Sequence, residues 1–257
     1  MNKNNFFKIK KYKKSVVISF SENNIKADDI YYDLNLLVDD INFDDNIWAV
    51  AFDFSNGLNI QNASDDKFIY LSLTELVMNI KKPTLCAING QIKNRAFEFS
   101  LPMDYRICSD SSTFVMNQIL DLNIQFDGAT QLLPRIIGLN KAKEMIMFGV
   151  SMNSEEAVNF GLVNLVTSED KLMNLIIEKL LKIVSLSPLA IQYTKEAINF
   201  GNETPTVEGM KMENDLSSIL LSSKDRMQAI NSFKNKKSKK VKKRKNKVKK
   251  TQKSQKS

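Results

Sequence analysis

The feature that most constrains this chain is a regular exchange of period-two and helix-period segments over its first hundred residues. SVVISF (15–20) alternates and is β-branched, so it reads as a strand. DDIYYDLNLLVDDINFDD (28–45) then spaces Ile30, Leu34, Leu37, Val38 and Ile41 at helical intervals. IWAVAFDF (47–54) is a buried strand, KFIYLSLTELVMNI (67–80) an apolar-striped helix, and PTLCAI (83–88) a third strand. The helix stops ahead of Lys82-Pro83, because a residue before proline is driven out of helical space. Strands alternating with helices call for parallel pairing through right-handed crossovers, an α/β core. From residue 139 the pattern becomes helix after helix: NKAKEMIMFG, then SEEAVNFG with Ser154 as N-cap, DKLMNLIIEKLLKIVSLS, PLAIQYTKEAINFG and the segment 205–233. No internal repeat is visible.

Composition narrows the chemistry. The net charge of +8 is uneven: residues 234–257 hold 14 basic and no acidic residues, leaving 23 basic against 29 acidic elsewhere, a balance of −6. The body is mildly acidic and the basic character sits in the tail. There is no histidine, which excludes a Ser-His-Asp or Cys-His triad and any imidazole-ligated metal. Two cysteines, Cys86 and Cys108, indicate neither a disulfide framework nor a zinc quartet. No run approaches the roughly 18 apolar residues of a spanning helix. The start, MNKNNFFKIKKYKK, has no apolar signal-peptide core, so a cytoplasmic setting is expected.

The junction NGQIKNRAFEFSLPMDYRICS (89–109) is a strand, a tight turn and a helix opening. The turn carries Lys93, Asn94 and Arg95, with one carboxylate, Glu98, just inside the helix. This stretch, KKPTLCAINGQ…FEFSLPMDYRI, resembles the crotonase superfamily, the enoyl-CoA hydratase/isomerase family. Three further segments are similar in the right order: TFVMNQILDLNIQFDGATQLLPRIIG, GVSMNSEEAVNFGLVNLV and SPLAIQYTKEAINFG. The likeness runs from about residue 45 to 235.

The resemblance implies a crotonase-like ββα spiral core with a carboxy-terminal helical oligomerisation region, building homotrimers or hexamers. The implied divisions are a basic segment 1–14, the spiral core 15–138, a helical trimerisation region 139–233 and a disordered Lys-rich tail 234–257. It also implies an acyl-CoA ligand or substrate, with no separate cofactor and no metal. In that family two main-chain N–H groups hold the thioester oxygen and stabilise an enolate, each contributing roughly 10²–10³ in rate. Carried onto this chain, the donors fall at Asn62 and Arg95, which are then also the substrate-binding positions. The two catalytic positions fall at Glu98 and Gln118. Hydratases use two glutamates around one water, and Gln118 cannot take a proton, so two-glutamate hydration is expected to be impaired. One-base isomerase or lyase chemistry through Glu98 remains open.

Each position has a plainer alternative. Arg95 could fill the space a glycine leaves open, bind an acidic acyl group bidentately, or project outward. Glu98 could be one more acid favoured by a helix dipole. Asp121 and Asp127 lie close enough in sequence to replace the missing acid, and Asp127 is expected to cap the TQLLPR helix. Asp104 and Arg106 read as structural. The tail could contact RNA or DNA phosphates, meet an anionic membrane, or serve only as a solubilising extension. The rival functions are a catalytically silent subunit partnering an active paralogue, or a nucleic-acid binder acting through the tail.

Overall fold

The structure is a computed structural model and describes residues 6–61 and 71–223. Two compact units divide between Leu186 and Ser187.

The first unit opens with β1 (Phe7–Tyr12), β2 (Ser15–Phe20), β3 (Asn24–Lys26) and α1 (Ala27–Phe43). The next group is β4 (Ala49–Phe54), β5 (Asn59–Gln61) and α2 (Leu73–Met78), followed by β6 (Thr84–Ile88), β7 (Gln91–Lys93) and α3 (Asn94–Ser100). Then come β8 (Tyr105–Ser109), β9 (Thr113–Val115), a 3₁₀ turn (Gln118–Asp121), α4 (Ala129–Ile137) and α5 (Leu139–Phe148). β10 (Met152–Asn153), α6 (Ser154–Asn159), β11 (Leu165–Thr167) and α7 (Glu169–Ile183) complete it.

A long strand, a short strand and a helix therefore recur three times. The long strands build one sheet in the order β1-β2-β4-β6-β8-β11, parallel except for the β1–β2 hairpin. The short strands turn away and pair separately, β3 with β5, and β9 with both β7 and β10. What recurs is a burial pattern, which many side chains satisfy, so no sequence repeat accompanies it.

Both faces of the main sheet are covered, which is why its strands read as nearly continuous apolar runs. In β4, Val50, Phe52 and Phe54 enter the larger core, where Phe99 meets Phe20, Phe52 and Phe54 at ring distances of 5.6–6.1 Å. The alternate residues Ala49 and Ala51 face the other way and join Leu172, Ile176 and Leu180 of α7. Small side chains on that face let the helix lie close to the sheet.

Several expectations shift. Residues 7–12 form β1 and pair in register with β2, so most of the basic opening segment belongs to the sheet. Phe7 is buried among the core while the lysines of β1 lie outward, where charge discourages pairing at a sheet edge. The first unit closes after α7, so α5 to α7 belong with the sheet rather than with the last two helices. α2 starts only at Leu73 because the Ser72 hydroxyl accepts the Glu75 N–H at 3.0 Å and caps it there. At α6 the cap is Asn153, one residue before Ser154, in a reciprocal box with Glu156.

The second unit contains α8 (Pro188–Glu203) and α9 (Thr206–Ser222). Ser187 caps α8 and Pro188 occupies its first turn, where a missing N–H costs least. The pair approach closely at Gly209, where an added Cβ would lie 3.1 Å from Gly201 Cα. A groove of about 520 Å³ between them is lined by Tyr193, Ile198, Met210 and Leu216 among others. Residues 234–257, expected to form the basic tail, lie outside the described residues.

Candidate active site

The β6–β7–α3 turn delivers the candidate residues. Gly90 takes φ of 69°, and Asn94, at φ 49°, opens α3 while its side-chain oxygen accepts the Asn117 N–H at 3.0 Å. That bond ties the start of α3 to the residue before Gln118. Three residues after Arg95 on the same helix, Glu98 is fully buried.

Glu98 and Gln118, 20 residues apart in sequence, meet. Gln118 Nε2 donates to Glu98 Oε2 at 3.3 Å, and Gln118 Oε1 accepts from Gln125 Nε2 at 3.3 Å. The other carboxylate oxygen, Oε1, accepts the main-chain N–H groups of Asp127 at 3.2 Å and Ala129 at 3.3 Å. These donors sit at the opening of α4, whose own N-cap, Gly128, has no side chain to offer. Glu98 thus serves as the cap that α4 lacks.

Asp127 does something different from what its sequence position suggests. It does not cap α4. Its carboxylate accepts Ser72 Oγ at 2.6 Å and the N–H groups of Leu73 and Thr74, each at 3.2 Å, so it caps α2. The reason is geometric: Gly128, at φ 102°, turns the chain so that the Asp127 side chain faces back toward α2. The turn is tight, since a Cβ at residue 128 would stand 3.2 Å from Thr74 Cγ2.

Arg95 completes this cluster. Its side chain is buried, so outward projection is ruled out. Its Nε lies 3.5 Å from Asp127 Oδ2, its Nη2 donates to the Leu71 carbonyl, and its guanidinium sits 5.0 Å from the Phe126 ring centre. The carboxylate it binds is one of the protein's own.

Burial, the largest influence, and the charge of Asp127 push the Glu98 carboxyl up to about 7, against the pull of the two main-chain bonds and Arg95. Burial also raises Asp127, while Ser72, Arg95 and the α2 N–H groups oppose it. The site therefore holds one carboxylate with a cationic partner and one with only neutral donors.

Asn62, the other expected main-chain donor, lies outside the described residues. Asp121 is exposed on the 3₁₀ turn. Asp104 and Arg106 are structural: Asp104 Oδ2 accepts from Thr84 N and Oγ1 at 2.7 and 3.0 Å. Arg106 donates to the carbonyls of Leu101, Met103 and Leu162. Burial pushes the Cys86 and Cys108 thiols up to about 12, so both are inert at neutral pH. Among the described residues no cluster of metal-ligating side chains occurs, and no helix is long and apolar enough to cross a membrane. Gln125 and Ser72 were not foreseen. Both act through partners across the fold, and polar residues of that kind carry no local signature.

A spiral of ββα turns, with a buried glutamate on its third helix facing the first residue of the 3₁₀ turn that follows β9, defines a crotonase-type protein. Residues 43–244 match the family model described as enoyl-CoA hydratase/isomerase, and the chain belongs to that family. It is 36% identical over 157 residues to a short-chain-enoyl-CoA hydratase of Clostridioides difficile, covering 61% of this chain and all of that protein. Against a probable mitochondrial enoyl-CoA hydratase 2 of Arabidopsis thaliana the identity is 33% over 154 residues. That match covers 60% of this chain and 51% of the plant protein, about half of its length. Among solved structures, an enoyl-CoA hydratase from Bacillus anthracis superposes with a TM-score of 0.81 at 27% identity, covering 90% of this chain and 96% of that one.

Proposed function

We propose that this protein binds acyl-CoA thioesters and has lost two-glutamate hydration, keeping Glu98 as its one proton-transfer group. The observation that carries this is the amide of Gln118 donating to Glu98 Oε2, where a hydratase would need a second carboxyl. Hydration requires one group to take a proton from water and another to give one to carbon. Gln118 does neither, because an amide has no exchangeable acid form near neutral pH.

The two oxygens of Glu98 then have separate tasks. Oε1 is anchored by the N–H groups of Asp127 and Ala129, fixing the carboxylate's orientation. Among the described residues Oε2 has only the long bond from Gln118, and it is the oxygen that exchanges a proton. With main-chain N–H groups at Asn62 and Arg95 holding a thioester oxygen, Oε2 takes a proton from carbon as the C–H pair moves into the enolate. The same proton returns at a second carbon, so no water is consumed. A carboxyl near pKa 7 suits both directions of that transfer.

A second reading is favoured by the capping bonds at Oε1: Glu98 as a structural cap in a silent acyl-CoA-binding subunit. Hydration of crotonyl-CoA, isomerisation of a 3-enoyl-CoA and binding of a non-reactive acyl-CoA, measured in the parent, E98Q and Q118E, separate these readings. The one-base proposal expects isomerisation abolished in E98Q, and hydration raised at least about 10²-fold in Q118E. Binding without turnover in the parent supports the silent subunit. Rapid hydration by the parent refutes the loss of the pair.

Self-assembly through α8 and α9 belongs to the same proposal, supported by the exposed Ile198, Val207, Met210 and Ile219 on those helices. Nucleic-acid contact through residues 234–257 is not favoured, since that run lacks the aromatic interleaving of a single-strand reader.

A further inference from the structure

We infer that the Arg95–Asp127 pair is the positioning device of Glu98: it neutralises the second carboxylate that the described residues bring into the buried cluster and fixes the main-chain donors that orient Glu98 Oε1. This rests on the reading of Glu98 as the proton-transfer group and assigns what sets its proton affinity.

The geometry links the three residues twice. Through the backbone, the Asp127 N–H donates to Glu98 Oε1 at 3.2 Å, so wherever Asp127 sits, one of Glu98's anchors sits too. Through charge, the Asp127 carboxylate accepts Arg95 Nε at 3.5 Å, and Arg95 precedes Glu98 by one turn of α3. Arg95 also reaches the Leu71 carbonyl, and Asp127 also holds Ser72, Leu73 and Thr74. The pair thereby joins α2, α3 and the start of α4 at one point.

Among the described residues, the charged groups facing Glu98 are Arg95 from its own helix and Asp127 from the segment before α4. Gln118 and Gln125 add only neutral amides. Two carboxylates and one guanidinium share a buried space, so one carboxylate has a counter-charge and the other does not. Asp127 takes it, together with three other donors. Glu98 is left as the site where the proton resides. In such a coupled set the titration belongs to the cluster, and Arg95 decides how it divides.

This predicts opposite shifts from the two halves of the pair. The full chain, labelled with ¹³C at the glutamate carboxyl carbons, is titrated by carbon-detected NMR or infrared difference, with E98Q identifying the Glu98 signal. R95M should raise the Glu98 midpoint by about one pH unit or more, a tenfold gain in proton affinity. D127N should lower it by a similar amount, and R95M/D127N should return it toward the parent. If R95M does not fold, the single D127N and the double variant still read the sign and its cancellation. Shifts of the same sign, or no shift in D127N, would overturn the inference, because a packing role predicts no cancellation. The titration needs no substrate, so it stands even if the parent shows no turnover. Absence of isomerisation would instead count against the one-base proposal.

Discussion

Burying Glu98 should make the stability of this protein fall as pH rises through neutrality, and E98Q should remove that slope. The folded carboxyl titrates near 7 against an ordinary value of 4.5, so the folded state holds the proton more tightly than the unfolded chain. A folded pKa raised in this way contributes stability that is complete below the unfolded value and is lost as pH rises through the folded one. The window is therefore about pH 4.5 to 7. At 1.36 kcal/mol per unit the loss is about 3 kcal/mol. Glutamine at residue 98 can still accept the Asp127 and Ala129 N–H groups. Its own amide can donate to Gln118 once the side chains of Gln118 and Gln125 both turn over, so that Gln118 donates to the Gln125 oxygen. Urea unfolding from pH 4 to 8, followed by the fluorescence of Trp48, the chain's one tryptophan, measures the difference directly. Trp48 precedes β4 and has Lys14 Nζ 3.9 Å from its ring centre, so it reports on the first unit. Asp127, also raised by burial, is coupled to Glu98, so D127N and E98Q/D127N are followed alongside to separate its slope from that of Glu98. Parallel parent and E98Q curves across this window would refute the argument.

Three further outcomes are expected. R95M should cost about 3–5 kcal/mol at neutral pH by leaving Asp127 buried without its cation, and R95M/D127N should recover part of it; chemical denaturation of all three proteins checks this. G128A should destabilise by about 1–3 kcal/mol through its φ of 102° and the crowding at Thr74, read as a lowered unfolding midpoint. F99A should cost about 3–5 kcal/mol, since Phe99 is wholly buried against three other phenylalanine rings, and thermal unfolding would register it.

Much of the architecture was legible in the chain because local pattern and tertiary burial agreed. SVVISF and PTLCAI alternate or run apolar, and they became β2 and β6, the latter without Pro83. The spaced residues Ile30, Leu34, Leu37, Val38 and Ile41 are all buried on α1. The family resemblance implied Glu98 and Gln118 as the two catalytic positions; their 3.3 Å contact comes from the structure. The first strand was missed because FKIKKY is dominated by lysine, and its pairing depends on a neighbour that composition does not reveal.

By itself, the sequence determined the α/β class, the absence of imidazole chemistry, and a single carboxylate at the opening of α3. Only the tertiary structure decided which carboxylate serves which helix. Asp127 stands beside α4 in the chain yet caps α2, and Glu98, 31 residues before Ala129, caps α4. The exchange follows from Gly128, whose positive φ reverses the chain, and from Arg95, whose charge needs a buried partner that only folding brings within reach. Hydrogen bonds and ion pairs act over a few ångströms of space, and sequence separation says little about which groups will share them.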